Sequence, residues 1–137
     1  MAKKLSPMRC PCGSGRLLAE CCGAFFPDGA QPFGAPTPEA LMRSRYAAFA
    51  LGREDYLLET WAAETRPERI FEPGEKPLKW FSLRILSSET SPDASSGTVR
   101  FIAKARSAGG AVVLEETSDF RKDPDGRWRY VSGVVSP

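Results

Sequence analysis

Histidine is absent from the 137 residues of this chain. That absence removes the Ser-His-Asp triad, the Cys-His dyad, the imidazole general base and every metal site that needs an imidazole ligand. Any metal must be held by Cys, Asp or Glu, and any acid–base work falls to carboxylates, Lys, Tyr or Cys. A dominant charge is lacking too. There are 19 Lys+Arg against 17 Asp+Glu, a formal net charge of +2, too balanced for nucleic-acid binding driven by bulk charge. No apolar run approaches the roughly 20 residues of a membrane-spanning helix. The segment Met1 to Pro11 has two lysines but no apolar stretch of the secretory kind. A cytoplasmic chain with no membrane engagement is therefore expected. Hydrophobic residues make up 42% of the sequence, enough for a packed core and against general disorder. The length predicts one main domain with room for a small appendage.

Cysteine is missing beyond position 22. The four that exist, Cys10, Cys12, Cys21 and Cys22, lie in the string CPCGSGRLLAECCG. Clustered thiols in a reducing compartment read as a metal or redox site. The C-x-C and C-C spacings give poor geometry for relaxed disulfides within each pair, and the thioredoxin-type C-x-x-C is absent. Four thiolates can instead close a tetrahedral site, with sulfur about 2.3 Å from zinc. Gly13 and Gly15 can take positive φ and let the backbone curl, and their amides can bond to sulfur. Arg16 to Glu20 is expected to form a helical turn that delivers Cys21 and Cys22, with Gly23 ending it. Four protein ligands leave no open position, so a structural role is favoured over a catalytic one. Zn2+ is the expected ion, and iron suits the same all-sulfur set.

This string resembles the SEC-C motif, C-x-C-x8-C-C or C-x-C-x8-C-H, with Cys22 at the variable position. The motif forms the metal-binding tail of the bacterial preprotein translocase motor and also occurs on unrelated proteins. The resemblance therefore implies metal binding rather than secretion.

Beyond the motif, residues 27–36 carry prolines and glycines and read as a linker after a knuckle at 1–26. Phe25, Phe26 and Phe33 are expected to dock it on an apolar surface. Thr37-Pro38-Glu39 is a helix start: an N-cap, a proline at the first position and an acid in the first turn. Leu41, Met42, Tyr46 and Phe49 give one apolar face over 38–51, and Gly52 stops the helix. A second helix is expected over 53–62, with Leu57 and Trp61 on one face. Thr65 to Pro77 reads as an irregular connection. From Leu78 onward the period is two. The expected inward sets are Phe81, Leu83 and Ile85; then Val99, Phe101, Ala103 and Ala105; then Val112, Leu114, Glu116, Ser118 and Phe120; then Trp128 and Tyr130. Turn residues around Ser91–Gly97, Gly109-Gly110 and Asp123–Gly126 separate them. Short links imply an antiparallel meander whose inner face the two helices cover.

The α+β domain over 37–137 resembles the YchJ-like family. The string PTPEALMRSRYAAFALGREDYLLETW, the P-L-K-W of Pro77 to Trp80, the E-x-S-x-F of Glu116, Ser118 and Phe120, and the closing G-R-W-R-Y-V carry the resemblance. It implies a nuclear transport factor 2-like (cystatin-like) fold, a cone of helices packed on a curved antiparallel sheet around a cavity. It implies no particular activity, because such folds host enzymes, binders and scaffolds alike. Relatives typically carry W-H-P after the second helix and H-E-x-S on the third strand. Here the corresponding residues are Trp61-Ala62-Ala63 and Glu115-Glu116, so any chemistry those histidines served is not retained in the same form.

Glu116 is the most informative polar residue outside the cysteines. Alternation aims its carboxylate inward, where it needs a partner. Arg45, between Leu41 and Phe49, is the expected one. Arg45, Tyr46, Trp80, Glu116 and Ser118 are the candidate pocket for a small polar or anionic ligand. Arg43 is expected to be solvated, as are Arg84, Arg100, Lys104, Arg106, Arg121, Arg127 and Arg129, with acids interleaved. Residues 1–26 hold Lys3, Lys4, Arg9 and Arg16 against Glu20, a net +3 that leaves −1 for the remainder. A basic knuckle suits contact with a protein partner or with RNA on the ribosome. Three functional readings follow. The favoured one is a non-enzymatic adaptor or ligand-binding protein. The others are a small enzyme using Glu116, whose pKa burial would raise, and a thiolate redox or metal sensor. Either a monomer or a dimer fits, since charged alternation argues against a large apolar patch on the outer sheet face.

Overall fold

A computed structural model of the chain describes residues 8–76 and 78–136. Lys3, Lys4 and Pro77 lie outside the described residues. The chain begins with two 3-10 turns, Leu18–Glu20 and Cys22–Phe25, and continues with α1 (Pro38–Leu51) and α2 (Glu54–Glu59). Four strands follow: β1 (Lys79–Thr90), β2 (Ser96–Ser107), β3 (Gly110–Lys122) and β4 (Trp128–Val135). They form one antiparallel sheet in sequence order. Among the described residues, no helix is long and apolar enough to cross a membrane.

The ends of α1 follow from its capping residues. Thr37 Oγ1 accepts from the Ala40 amide at 3.1 Å, and Gly52 closes the helix in the left-handed conformation. The second helix stops short of the expected 62. Thr60 turns its hydroxyl back onto the Tyr56 carbonyl at 2.7 Å. The backbone then pairs with β4 through Tyr130 N to Thr60 O and Ala62 N to Tyr130 O, both 2.8 Å. Bonds to a strand replace the next turn of helix, which single-helix periodicity cannot register.

The inner face of β2 holds Val99, Phe101, Ala103 and Ala105, all buried, with Arg100, Lys104 and Arg106 outside. On β1 the expected phase is corrected. A register shift between Trp80 and Ser82 turns Phe81 outward, 47% exposed, under the Arg106 guanidinium at 4.6 Å. Leu83 and Ile85 pack on the core as expected, and Trp80 joins them there in place of Phe81. One extra residue at a bulge reverses the alternation on its far side.

The segment after the cysteines docks through its aromatics. Phe26 meets Tyr56 edge-on at 5.1 Å, and Phe33 stacks on the same ring at 5.8 Å. Arg53 spreads over Phe26 and bonds Asp28 at 3.0 Å. Cys10, Cys12 and Cys22 thereby join the same buried cluster as Leu41, Met42, Tyr46 and Tyr56.

Candidate metal centre and cavity

The cysteine cluster is built almost wholly from local backbone geometry. Arg9 and Leu17 pair as an antiparallel bridge, closed by Cys10 N to Arg16 O and Leu18 N to Met8 O, both 2.8 Å. Between them the chain turns through Gly13 (φ 88) and Gly15 (φ 83), a region where a side chain would be strained. This loop presents Cys10 and Cys12 to Cys21 and Cys22, which lie at the junction of the two 3-10 turns. The expected helical turn is thus a pair of tighter turns. Gly23 lies inside the second of these rather than ending it. A Cβ there would sit 2.7 Å from the Leu18 carbonyl oxygen, so glycine is demanded by the close approach of the two turns.

All four Sγ atoms lie within 4.8 Å of one another, and Cys12 and Cys21 are 3.7 Å apart. Sulfurs at about 2.3 Å from a central ion form a tetrahedron with edges of about 3.8 Å. The donor set therefore fits a tetrahedral ion, and all four cysteines are free of disulfides. Cys10, Cys12 and Cys22 are buried; Cys21 is half-buried. Ser14 Oγ and Cys21 Sγ share a hydrogen bond at 3.2 Å, while the Gly13 amide, expected to bond sulfur, bonds the Cys10 carbonyl at 3.2 Å.

The thiols already divide their protons unequally. Hydrogen bonds from Cys10 and then Cys22 hold the Cys12 thiol far below its usual range. The interaction with Cys12 pushes Cys10 up to about 11. Cys22 is held protonated by Cys10 and Cys12 and by burial. A cation at the centre replaces the protons that the other thiols retain. Arg43, expected to be solvated, is half-buried. It bonds the Cys12 carbonyl at 3.3 Å while its Nε binds Glu39 at 3.0 Å. It ties α1 to the cluster and brings positive charge beside Cys12, the thiol held in its ionised form.

A second site lies between α1 and the sheet. Arg45, Tyr46, Trp80, Glu116 and Ser118 all line one cavity of about 110 Å³. Register places them there: Phe101 pairs with Glu116 and Val99 with Ser118 across β2 and β3. The expected ion pair is corrected. Arg45 and Glu116 share the cavity without making a salt bridge. Arg45 Nη1 donates to the Leu57 carbonyl at 2.8 Å and to Thr60 Oγ1 at 2.7 Å. Its guanidinium lies between the rings of Trp61 (5.1 Å) and Tyr130 (4.6 Å). The bend that ends α2 thus also supplies the partners of Arg45, a placement no helical period announces. Desolvation brings the guanidinium down to about 10.

Glu116 is fixed from its own sheet. Ser118 Oγ donates to its Oε2 at 2.8 Å and the Tyr130 hydroxyl lies 3.4 Å from the same oxygen. A Cβ on Gly133 would collide with Glu116 Oε2 and stand 3.0 Å from the Tyr130 hydroxyl. The carboxylate therefore occupies the space a side chain on β4 would fill. Burial pushes the Tyr130 phenol up to about 12. The Tyr46 hydroxyl is buried without a hydrogen-bond partner. Sequence reasoning left Trp61, Tyr130 and Gly133 out of the candidate pocket. Trp61 and Tyr130 stood on apolar faces, and only the parallel bridge between them joins those faces at Arg45.

The arginines expected on a solvated face divide. Arg100 pairs with Glu115, its Nε 3.0 Å from Oε2, and Arg121 pairs with Glu64 and Asp123. Arg129 is a correction. It is buried, bonded to Asp123 at 2.9 Å and Asp125 at 3.0 Å, because the β3–β4 turn folds its acids back over it.

Comparison with known proteins follows the same division. Residues 37–133 match the family model "YchJ, middle NTF2-like domain", and residues 9–24 match the SEC-C motif. A UPF0225 protein of Chromobacterium violaceum is 45% identical over 137 residues, covering 98% of each chain. Another, from Corynebacterium efficiens, is 44% identical over 130 residues, covering 94% of this chain and 95% of its own. The solution structure of a SEC-C motif containing protein from Rhodopseudomonas palustris superposes with a TM-score of 0.75 at 37% identity, covering 95% of this chain and 100% of that one. A crystal structure of a SEC-C motif containing protein from Psychrobacter arcticus shares the fold, with a TM-score of 0.70 at 23% identity over 93% of this chain and 82% of its own. With its SEC-C motif, its NTF2-like domain and full-length relatives of both parts, the chain belongs to the UPF0225 (YchJ) family.

Proposed function

We propose that this chain is a non-enzymatic binding protein with a structural zinc knuckle at its N-terminal end and a ligand cavity inside a cone-shaped domain. The observation that carries the metal reading is the convergence of four Sγ atoms within 4.8 Å. Four protein ligands fill a tetrahedral ion and leave no position for substrate or water, so the ion holds structure rather than performing chemistry. The knuckle, with Arg9 and Arg16 exposed on it, serves as the contact surface for a partner, a protein or ribosomal RNA. The cavity around Arg45 and Glu116 serves a small polar ligand.

Elemental analysis of protein purified without added metal, with thiol titration of the same sample, tests the metal reading. One zinc per chain and four protected thiols are expected. One iron, with the thiolate-to-iron absorbance that colours such sites, would replace zinc in the proposal. Little metal and four reactive thiols would overturn it. A second reading, a redox or metal sensor, is favoured by one feature: Cys21 is only half-buried. Release of metal under mild peroxide, reversed by reductant, would move the assignment to that reading.

A further inference from the structure

The cavity carries two unlike charges that do not meet. Arg45 is buried, and its Nε and Nη2 donate to no described residue; only Nη1 is bonded. No carboxylate of the described residues lies within salt-bridge distance of it. Glu116 uses Oε2 for Ser118 and Tyr130, and its Oε1 accepts from no described residue. The two charges sit at either end of one side chain: Tyr130 has its ring 4.6 Å from the guanidinium and its hydroxyl 3.4 Å from the carboxylate. They are too far apart to pair and close enough for a small molecule to span. Buried groups left unmatched in this way are costly unless something completes them.

We infer that the cavity binds a small zwitterion of the α-amino-acid class, its carboxylate on Arg45 and its ammonium on Glu116. This inference rests on the reading of the cavity as a ligand site. A single negative ligand would satisfy Arg45 and meet Glu116 with like charge, and a single positive one would reverse the fault. A zwitterion satisfies both. Size limits the class. A dry cavity of about 150 Å³ accepts the six carbons of benzene, so about 110 Å³ holds about four or five non-hydrogen atoms, which makes glycine and alanine the upper limit of size. Trp80 and Phe101 supply apolar walls, whose low polarity strengthens both charged contacts.

The test uses the full, metal-loaded chain labelled with nitrogen-15, following the indole N–H signals of Trp61 and Trp80 during titration. The probes are glycine, L-alanine, acetate and methylammonium. Saturable shifts with glycine or alanine are expected, at affinities about tenfold or more above those of acetate and methylammonium, which leave one charge unmatched. Glu116→Gln keeps an amide oxygen to accept from Ser118 Oγ, and its melting temperature is read beside its binding, so that loss of folding is told apart from loss of binding. Glu116→Gln should erase the preference for alanine over acetate. Acetate or methylammonium binding as tightly as alanine would overturn the zwitterion and leave a ligand cavity standing. No shift with any probe up to about 100 mM, a Kd weaker than any useful site, would overturn the cavity reading as well.

Discussion

The thiol cluster and the cavity are assembled by opposite routes. The cluster takes all its ligating groups from Cys10 to Cys22, a stretch with short 3-10 turns and a two-residue bridge as its regular structure. Cys10, Cys12 and Cys22 are buried against the core of the domain, and a bound ion would tie the four sulfurs to one another. The cavity takes Arg45 from α1, Trp61 from the exit of α2, Trp80 from β1, and Glu116 and Tyr130 from β3 and β4. Its groups are held by sheet register and helix packing before any ligand arrives. One site is made by local turns; the other is made by the tertiary fold.

That contrast can be broken most directly at the metal. Cys22→Ser removes a buried ligand, and metal content should fall from one ion per chain to none. Structural zinc contributes apparent binding energies of about 10–16 kcal/mol in small metal-folded peptides, so this variant should show the largest loss of thermal stability. Trp61 and Trp80 fluorescence should nevertheless report a folded cavity at room temperature. Simultaneous loss of both signals would show that the two regions form one cooperative unit.

The next effect lies in the cavity. Gly133→Ala places a methyl where Glu116 Oε2 stands, and overpacking of this kind costs about 1–3 kcal/mol. Adding Glu116→Ala should recover much of the loss, an interaction that a double-mutant cycle measures. Additive losses would refute the steric account.

High pH gives a graded probe. Burial pushes Tyr56 and Tyr130 up to about 12, while unfolded phenols titrate near 10. Between these values the unfolded chain has lost protons that the fold retains. Stability is therefore full below about pH 10 and falls as pH rises toward 12, by about 1.4 kcal/mol per pH unit for Tyr56 alone. Phenolate absorbance should appear together with unfolding. Phenolate rising near pH 10 in a folded chain would contradict the burial.

Arg43→Gln is the mildest test. It removes the bond to the Cys12 carbonyl and should cost about 0.5–1.5 kcal/mol, with slower recovery of metal after chelation. An unchanged melting temperature and an unchanged rate of metal recovery would remove the link between Arg43 and the cluster.

The same contrast explains what could be read in the chain beforehand. The convergence of the four cysteines was legible because C-x-C-x8-C-C is a local spacing, and a local spacing fixes a local loop. The bounds of α1 were legible because Thr37, Pro38 and Gly52 mark them chemically. The inner face of β2 and β3 followed from strict alternation. The bulge at Phe81, the turn of Thr60 toward β4 and the seating of Arg45 between Trp61 and Tyr130 were not legible. Each depends on which distant residue stands opposite, and a one-residue slip in pairing changes that partner while leaving the local pattern almost untouched.

Helix α1 carries a debt to both ends of the molecule. Arg43 points to the thiols, while Met42, Arg45, Tyr46 and Phe49 point to the cavity. Each residue turns a helix by about 100°. A single codon inserted between Arg43 and Arg45 would leave one set in place and swing the other away from its site. The spacing of residues along this one helix therefore holds the two sites to each other.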